Sequence, residues 1–161
     1  MGKLKELELI GHDDAGVKSH PDKTTSGGGH VIVLCNTKIC AMCVLNWKSR
    51  KIRRVVDGSL AGGVLTTADT IGELVYKKAV PGFIFGDKLS AIIVIVMMDS
   101  QDLYMAVQGS GLVEDAWTIP DVACIKEAVK NGNINALVKV KGSDVLANCL
   151  MKKDLLHEAI S

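Results

Sequence analysis

Apolar and charged residues alternate from Lys5 to Gly11, the pattern of a strand with one buried face, and the run ends at His12-Asp13-Asp14. The polar stretch Lys18 to Gly29, with Pro21 and three successive glycines, predicts a loop. Two apolar runs follow, His30 to Leu34 and Ile39 to Trp47, and Asn36-Thr37-Lys38 between them predicts a hairpin. Helical spacing then places Leu60, Val64, Ile71, Leu74 and Val75 on one face, with Pro81-Gly82 closing the helix. Ala91 to Met98 is continuously apolar, as expected of a central strand covered on both faces. Asp99-Ser100 can cap a short helix running to about Gln108. Trp117 to Lys130 is amphipathic and stops at Asn131-Gly132. Ile134 to Val140 reads as a last strand, and Ser143 or Asp144 caps a final short helix through Leu150. The order β-β-β-α-β-α-α-β-α predicts an α/β domain, a mixed sheet with helices packed on it, over residues 1–153 and a tail over 154–161.

Charge changes this picture little overall and much locally. The formal net charge is +1, so any affinity for nucleic acid has to come from a patch and not from the field of the whole molecule. Lys48, Arg50, Lys51, Arg53 and Arg54 form such a concentration just before the first long helix. Taken on charge alone they read as a solvated basic surface. No run approaches the roughly 20 apolar residues of a membrane span, and the charged N-terminus has no secretory stretch, so the chain is expected to be intracellular, not secreted and not membrane-bound.

Five cysteines are present, an odd number that argues against a disulfide framework. Cys40 and Cys43 have the gap of a zinc half-site, but no second pair with suitable spacing follows. Inside an apolar run they are expected to be core residues, as are Trp47 and Cys149. None of the four histidines shows ligand spacing.

Several segments taken in order carry a resemblance: the Asp-Ala pair of HDDAG, Gly-Gly-His leading into a strand, NWKSRKIRRVV before a Ser-Leu-Ala helix start, MMDSQDLYMAV, LVED before a helix, and KGSDVLANCLMKK. Together they resemble the ribonuclease H domain of copia-type retrotransposon polyproteins, from about Leu7 to Lys153. The resemblance implies a ribonuclease H-like fold with a five-stranded mixed sheet flanked by helices. In active relatives it implies cleavage of the RNA strand of an RNA–DNA hybrid by two Mg²⁺ ions held on four carboxylates. Two hard cations can activate a water and stabilise the leaving oxygen of an in-line displacement, and they call for oxygen ligands. The resemblance also sets the basic stretch beside the bound hybrid, where Lys and Arg would contact phosphates.

Carried over residue by residue, the first carboxylate falls on Asp14, with Asp13 beside it, and the third on Asp99. Neighbouring strand residues face opposite ways, so only one aspartate of the pair can point into the site, and the motif favours Asp14. The second position departs from the family: relatives read Ser-Thr-Leu-Ala-Ala-Glu, and this chain reads Gly58-Ser59-Leu60-Ala61-Gly62-Gly63. The next acid, Asp69, is six residues on, about 9 Å along a helix axis and too far to substitute. The fourth position is Asn148 in place of aspartate, an oxygen donor without charge, and Asp144 reads as a cap. With Asp14 and Asp99 as the remaining metal positions, Mg²⁺ binding is expected to be weak or absent. The reading is a non-catalytic ribonuclease H-like domain with weak affinity for RNA–DNA hybrid. An enzyme using Asp14, Asp99 and substitute ligands, a protein-interaction scaffold, and a remnant without a role are the alternatives.

Overall fold

A computed structural model of the protein describes residues 7–17, 25–54, 56, 58–85, 92–109, 113 and 116–148. Cys149, the expected helix end at Leu150 and the expected tail over 154–161 lie outside the described residues.

Three antiparallel strands open the domain: β1 (Leu7–Gly16), β2 (Gly27–Asn36) and β3 (Ala41–Lys51). Helix α1 (Ser59–Phe85) crosses to β4 (Ile93–Met98), which pairs with β1 in parallel. Helices α2 (Gln101–Gln108) and α3 (Ile119–Lys130) lead to β5 (Ala136–Lys139), parallel to β4, and a 3₁₀ turn follows at Gly142–Asp144. The sheet order is β3-β2-β1-β4-β5, mixed and five-stranded. The parallel pairs explain the helices, since a parallel crossover needs a dozen or more residues to return the chain.

The two faces of the sheet carry separate cores. Leu9, Ile32, Val94 and Val96 pack with Val64, Ile71 and Leu74 of α1, Leu103 of α2 and Ile125 of α3. The opposite face gathers Ile10, Val31 and Val33 against Val145 and Ala147. Helix α1 lies close to β1 because Gly11 has no side chain: a Cβ there would fall 2.8 Å from both Leu74 Cδ1 and Thr70 Cγ2. Among the described residues no helix is long and apolar enough to cross a membrane.

Several boundaries differ from the expectation. Strand β1 continues through His12-Asp13-Asp14 to Gly16, and β3 runs on to Lys51, so the basic stretch begins inside a strand. Helix α1 passes Pro81-Gly82 and ends at Phe85; a proline removes one i→i−4 hydrogen bond, which this 27-residue helix tolerates. Asp144 lies exposed in the 3₁₀ turn instead of capping a longer helix.

The largest correction concerns β3. It is an edge strand, and Cys40 and Cys43 are exposed rather than in the core. Trp47 is likewise 65% exposed. An apolar run marks a strand but not its place in the sheet, and at the edge neither face has a full layer above it. Cys40 lies in the turn before β3 with a positive φ of 52°, and Cys43 lies within the strand. Since Trp117 is 79% exposed as well, both tryptophans should emit at a water-like wavelength in the folded protein. Trp47→Ala should then cost less than about 1 kcal/mol in a urea melt, against the roughly 3–5 kcal/mol typical of a buried tryptophan.

Candidate active-site cleft

Strands β1 and β4 end side by side. The parallel register that pairs His12 with Met97 brings Asp14 and Asp99 level, two residues further on at the carboxyl ends of both strands. In sheets of this kind, ligands bind in the crevice beyond those ends. A cleft of about 290 Å³ opens there, and its lining includes Asp13, Asp14, Gly63, Thr67, Asp99 and Ser100. The structure thus brings Asp14, Asp99 and the Gly63 position to one cleft.

Strand alternation separates the two neighbouring aspartates. Leu9, Gly11 and Asp13 face α1, whereas Ile10, His12 and Asp14 face the smaller core. Ser100, not Asp99, caps α2: its Oγ accepts from the Leu103 amide at 3.3 Å. Asp99 is left at the mouth of the cleft, backed by Gly142, where a Cβ would lie 3.1 Å from Asp99 Oδ2.

The second and fourth positions offer no carboxylate. Gly63 lies on the face of α1 that looks across at Ser100 and Leu103, and a Cβ built there would meet nothing closer than 3.7 Å. Space for a larger side chain remains, but no side chain fills it. Asn148 is turned away from metal chemistry, because its Nδ2 donates to the Gly142 carbonyl at 3.1 Å and ties down the 3₁₀ turn. Asp69 is engaged elsewhere, with Arg50 at 3.1 Å and Lys48 at 3.4 Å.

Asp13, a bystander in the sequence pattern, is the most unusual group in the cleft. It is 3% exposed, and burial pushes its carboxyl up to about 7. The Thr67 hydroxyl lies near enough to temper that shift, while the charges of Asp14 and Asp99 add to it. Asp13 Oδ2 and Thr67 Oγ1 are nonetheless both buried without a hydrogen-bond partner among the described residues. No motif singles Asp13 out; only the alternation of β1 with the position of α1 does. On the opposite face, burial lowers the His12 pKa, and its Nδ1 accepts from the Leu146 amide at 3.4 Å. That bond suits a neutral imidazole.

A pair of Mg²⁺ ions does not fit this donor set. Two carboxylates of the expected four are absent, and the amide at one of those places is already committed. Among the described residues no three His, Cys, Asp or Glu side chains cluster tightly enough to grip a metal directly.

The basic stretch is partly neutralised. Lys48 and Arg50 lie over α1 against Asp69, Lys48 also reaches Glu73 at 4.0 Å, and Arg54 binds Asp121 of α3 at 3.0 Å. Lys51 and Arg53 are exposed. His30 lies beneath this group, 3.8 Å from Asp69, and burial holds its pKa low against the pull of Asp69 and Glu73.

No protein-family model matches the chain, and no curated protein is similar to it. Solved structures are similar. A ribonuclease H1 isolated from compost by a metagenomic approach superposes with a TM-score of 0.62 at 18% identity, over 96% of this chain and 99% of that one. The chain has a ribonuclease H-like fold. The compost ribonuclease in complex with RNA/DNA hybrid gives a TM-score of 0.62 at 19% identity, covering 96% of this chain and all of the other (100%). The ribonuclease H1 of the halophilic archaeon Halobacterium salinarum gives 0.59 at 11% identity, over 94% of this chain and 98% of that one. At these identities the likeness is one of fold; what the cleft does has to be argued from its residues.

Proposed function

We propose that this chain is a non-catalytic ribonuclease H-like domain, derived from a retrotransposon polyprotein of the copia type, that retains weak affinity for RNA–DNA hybrid. The observation that carries the reading is Gly63: the helix face that should bring a carboxylate over Asp14 and Asp99 brings only a hydrogen atom into the cleft. Asn148 supports it, because its amide is spent on the Gly142 carbonyl. In-line displacement with two cations needs charge on both sides of the reacting phosphate, and half of that charge is gone.

Hybrid binding rests on the basic stretch and on the fold shared with a protein that was crystallised with RNA/DNA hybrid. Its strength follows from the ion pairs. Lys48, Arg50 and Arg54 must give up Asp69, Glu73 or Asp121 to reach phosphates, which weakens binding by the stretch. Log K should fall against log[salt], with a shallower slope than five free cations would give.

The test is fluorescence anisotropy of an end-labelled RNA–DNA hybrid at low salt with Mg²⁺. A stable, salt-sensitive rise is the expected result. A rise that decays as labelled fragments are released would mean cleavage and would overturn the non-catalytic reading. No rise would remove the hybrid and leave the scaffold or remnant readings.

A further inference from the structure

Strand β3 ends the sheet, so its outer edge has no neighbouring strand among the described residues. Natural edges are usually blunted by charge, proline or a short strand, which keeps them from pairing with another chain. Here the 11-residue strand carries its cations, Lys48, Arg50 and Lys51, in its second half only. The first half presents Met42, Val44, Leu45 and Trp47, each between 43% and 65% exposed. The register against β2 skips Leu45, because Val44 lies opposite Val33 and Asn46 opposite Ile32. That shift puts Met42, Val44 and Trp47 on the face away from α1 and Cys43, Asn46 and Lys48 on the face towards it.

We propose that β3 is the interface of a weak homodimer, in which two copies pair edge to edge and antiparallel about a two-fold axis between Val44 and Leu45. An interface of this symmetry has to be self-complementary, and the strand is. Met42 of one copy meets Trp47 of the other, and Cys43 meets Asn46, so the residues opposed in each pair share a face. Val44 and Leu45 of both copies meet at the centre, flanked by two methionine–indole contacts. Charge selects the direction. Antiparallel pairing sets Lys48 opposite Ala41 and sends the two basic ends outward, whereas parallel pairing in register would set every cation against its own copy. Side chains and strand edge together offer on the order of 500 Å² a copy, which just reaches the roughly 1,000 Å² in total expected of a specific interface. The dimer therefore forms at high concentration and comes apart on dilution, where Trp47 emits as an exposed indole. Lys48 and Arg50 stay on the α1 side, so the pairing leaves their contacts with Asp69 in place.

Sedimentation equilibrium of the full chain, with folding followed by circular dichroism, tests the inference. The mass should rise with concentration towards that of a dimer. In a Trp117→Phe background, the emission of Trp47 should move to shorter wavelength over the same range. Val44→Lys and Leu45→Glu should each weaken association at least about tenfold, because each sets a charge against an apolar partner. Mixed in equal amounts, the two variants should recover it as a heterodimer, since the lysine of one copy then faces the glutamate of the other. Phe83→Ser, at an exposed position of α1, should change nothing. A monomer up to about 1 mM overturns the inference and leaves the edge to a partner of another kind. A mass beyond the dimer, association that survives both charged variants, or folded variants that fail to recover it on mixing overturn it as well. Should either charged variant unfold, Trp47→Ala decides in its place, and unchanged association rejects the strand.

Discussion

Asp13→Asn is expected to make the protein more stable than wild type at pH 8 and to lose that advantage by pH 4. The folded-state carboxyl is raised to about 7 from an ordinary value of 3.8. Below about pH 4 it is protonated whether the chain is folded or not, and its titration adds no pH dependence. Between about 4 and 7 the folded chain keeps the proton while the unfolded chain releases it, so stability falls as pH rises through that window. Above about 7 the charge is present in both states and the loss is complete. A shift of this size corresponds to at most about 4 kcal/mol, set against a total of roughly 5–15 kcal/mol for a typical domain. Asparagine has nearly the same shape and no charge to bury, so the variant should lack this fall, and its advantage over wild type should grow as pH rises through the window. Urea unfolding at pH 4, 6 and 8 decides the matter. Parallel pH profiles for the two proteins would show that Asp13 is not the group responsible.

The aspartates show how far residue patterns reach in this chain. Alternation along β1 is enough to separate Asp14 from Asp13, and the apolar run before Asp99 marks a central strand with a carboxylate at its end. Neither feature needs knowledge of the rest of the fold. The burial of Asp13 is not legible, because it depends on Thr67 arriving from α1, and nothing local to HDDAG announces that contact. The end of β1 escapes the sequence for a related reason. His12-Asp13-Asp14 looks like a turn until it is seen that β1 must extend past the sheet's apolar layer to reach the cleft.

The edge strand shows the opposite failure. An apolar run from Ile39 to Trp47 has the composition of a core strand, yet β3 has a neighbour on one side only and helix cover over a fraction of its length. Composition therefore assigns Cys40, Cys43 and Trp47 to a core that does not extend so far. The basic stretch is legible as a concentration of charge, but its pairing with Asp69, Glu73 and Asp121 comes from α1 and α3 and changes how much of that charge is available. Long-range contacts, not local propensity, account for nearly every departure.

Restoring the two missing carboxylates should restore Mg²⁺-dependent cleavage of hybrid, and the structure indicates how each substitution will behave. Gly63→Glu enters open space, since its Cβ would meet Ser100 Oγ at 3.7 Å and Leu103 Cδ2 at 3.8 Å. It also replaces a helical glycine, worth roughly 0.5–1 kcal/mol of stability. Asn148→Asp is the harder change. It removes the donor to the Gly142 carbonyl and sets a carboxylate against that oxygen, at a cost of roughly 1–3 kcal/mol unless a cation is bound. Either variant alone still lacks a ligand and should stay inert. The double variant should cleave at least about 10³-fold faster than wild type, because a completed metal site is worth several kcal/mol of transition-state stabilisation. Single-turnover cleavage of a labelled hybrid with and without Mg²⁺ tests the series. A folded double variant that binds hybrid and does not cut it would show that the lost ligands are not the cause of inactivity, and the cause would then have to lie in how the hybrid is placed over the cleft.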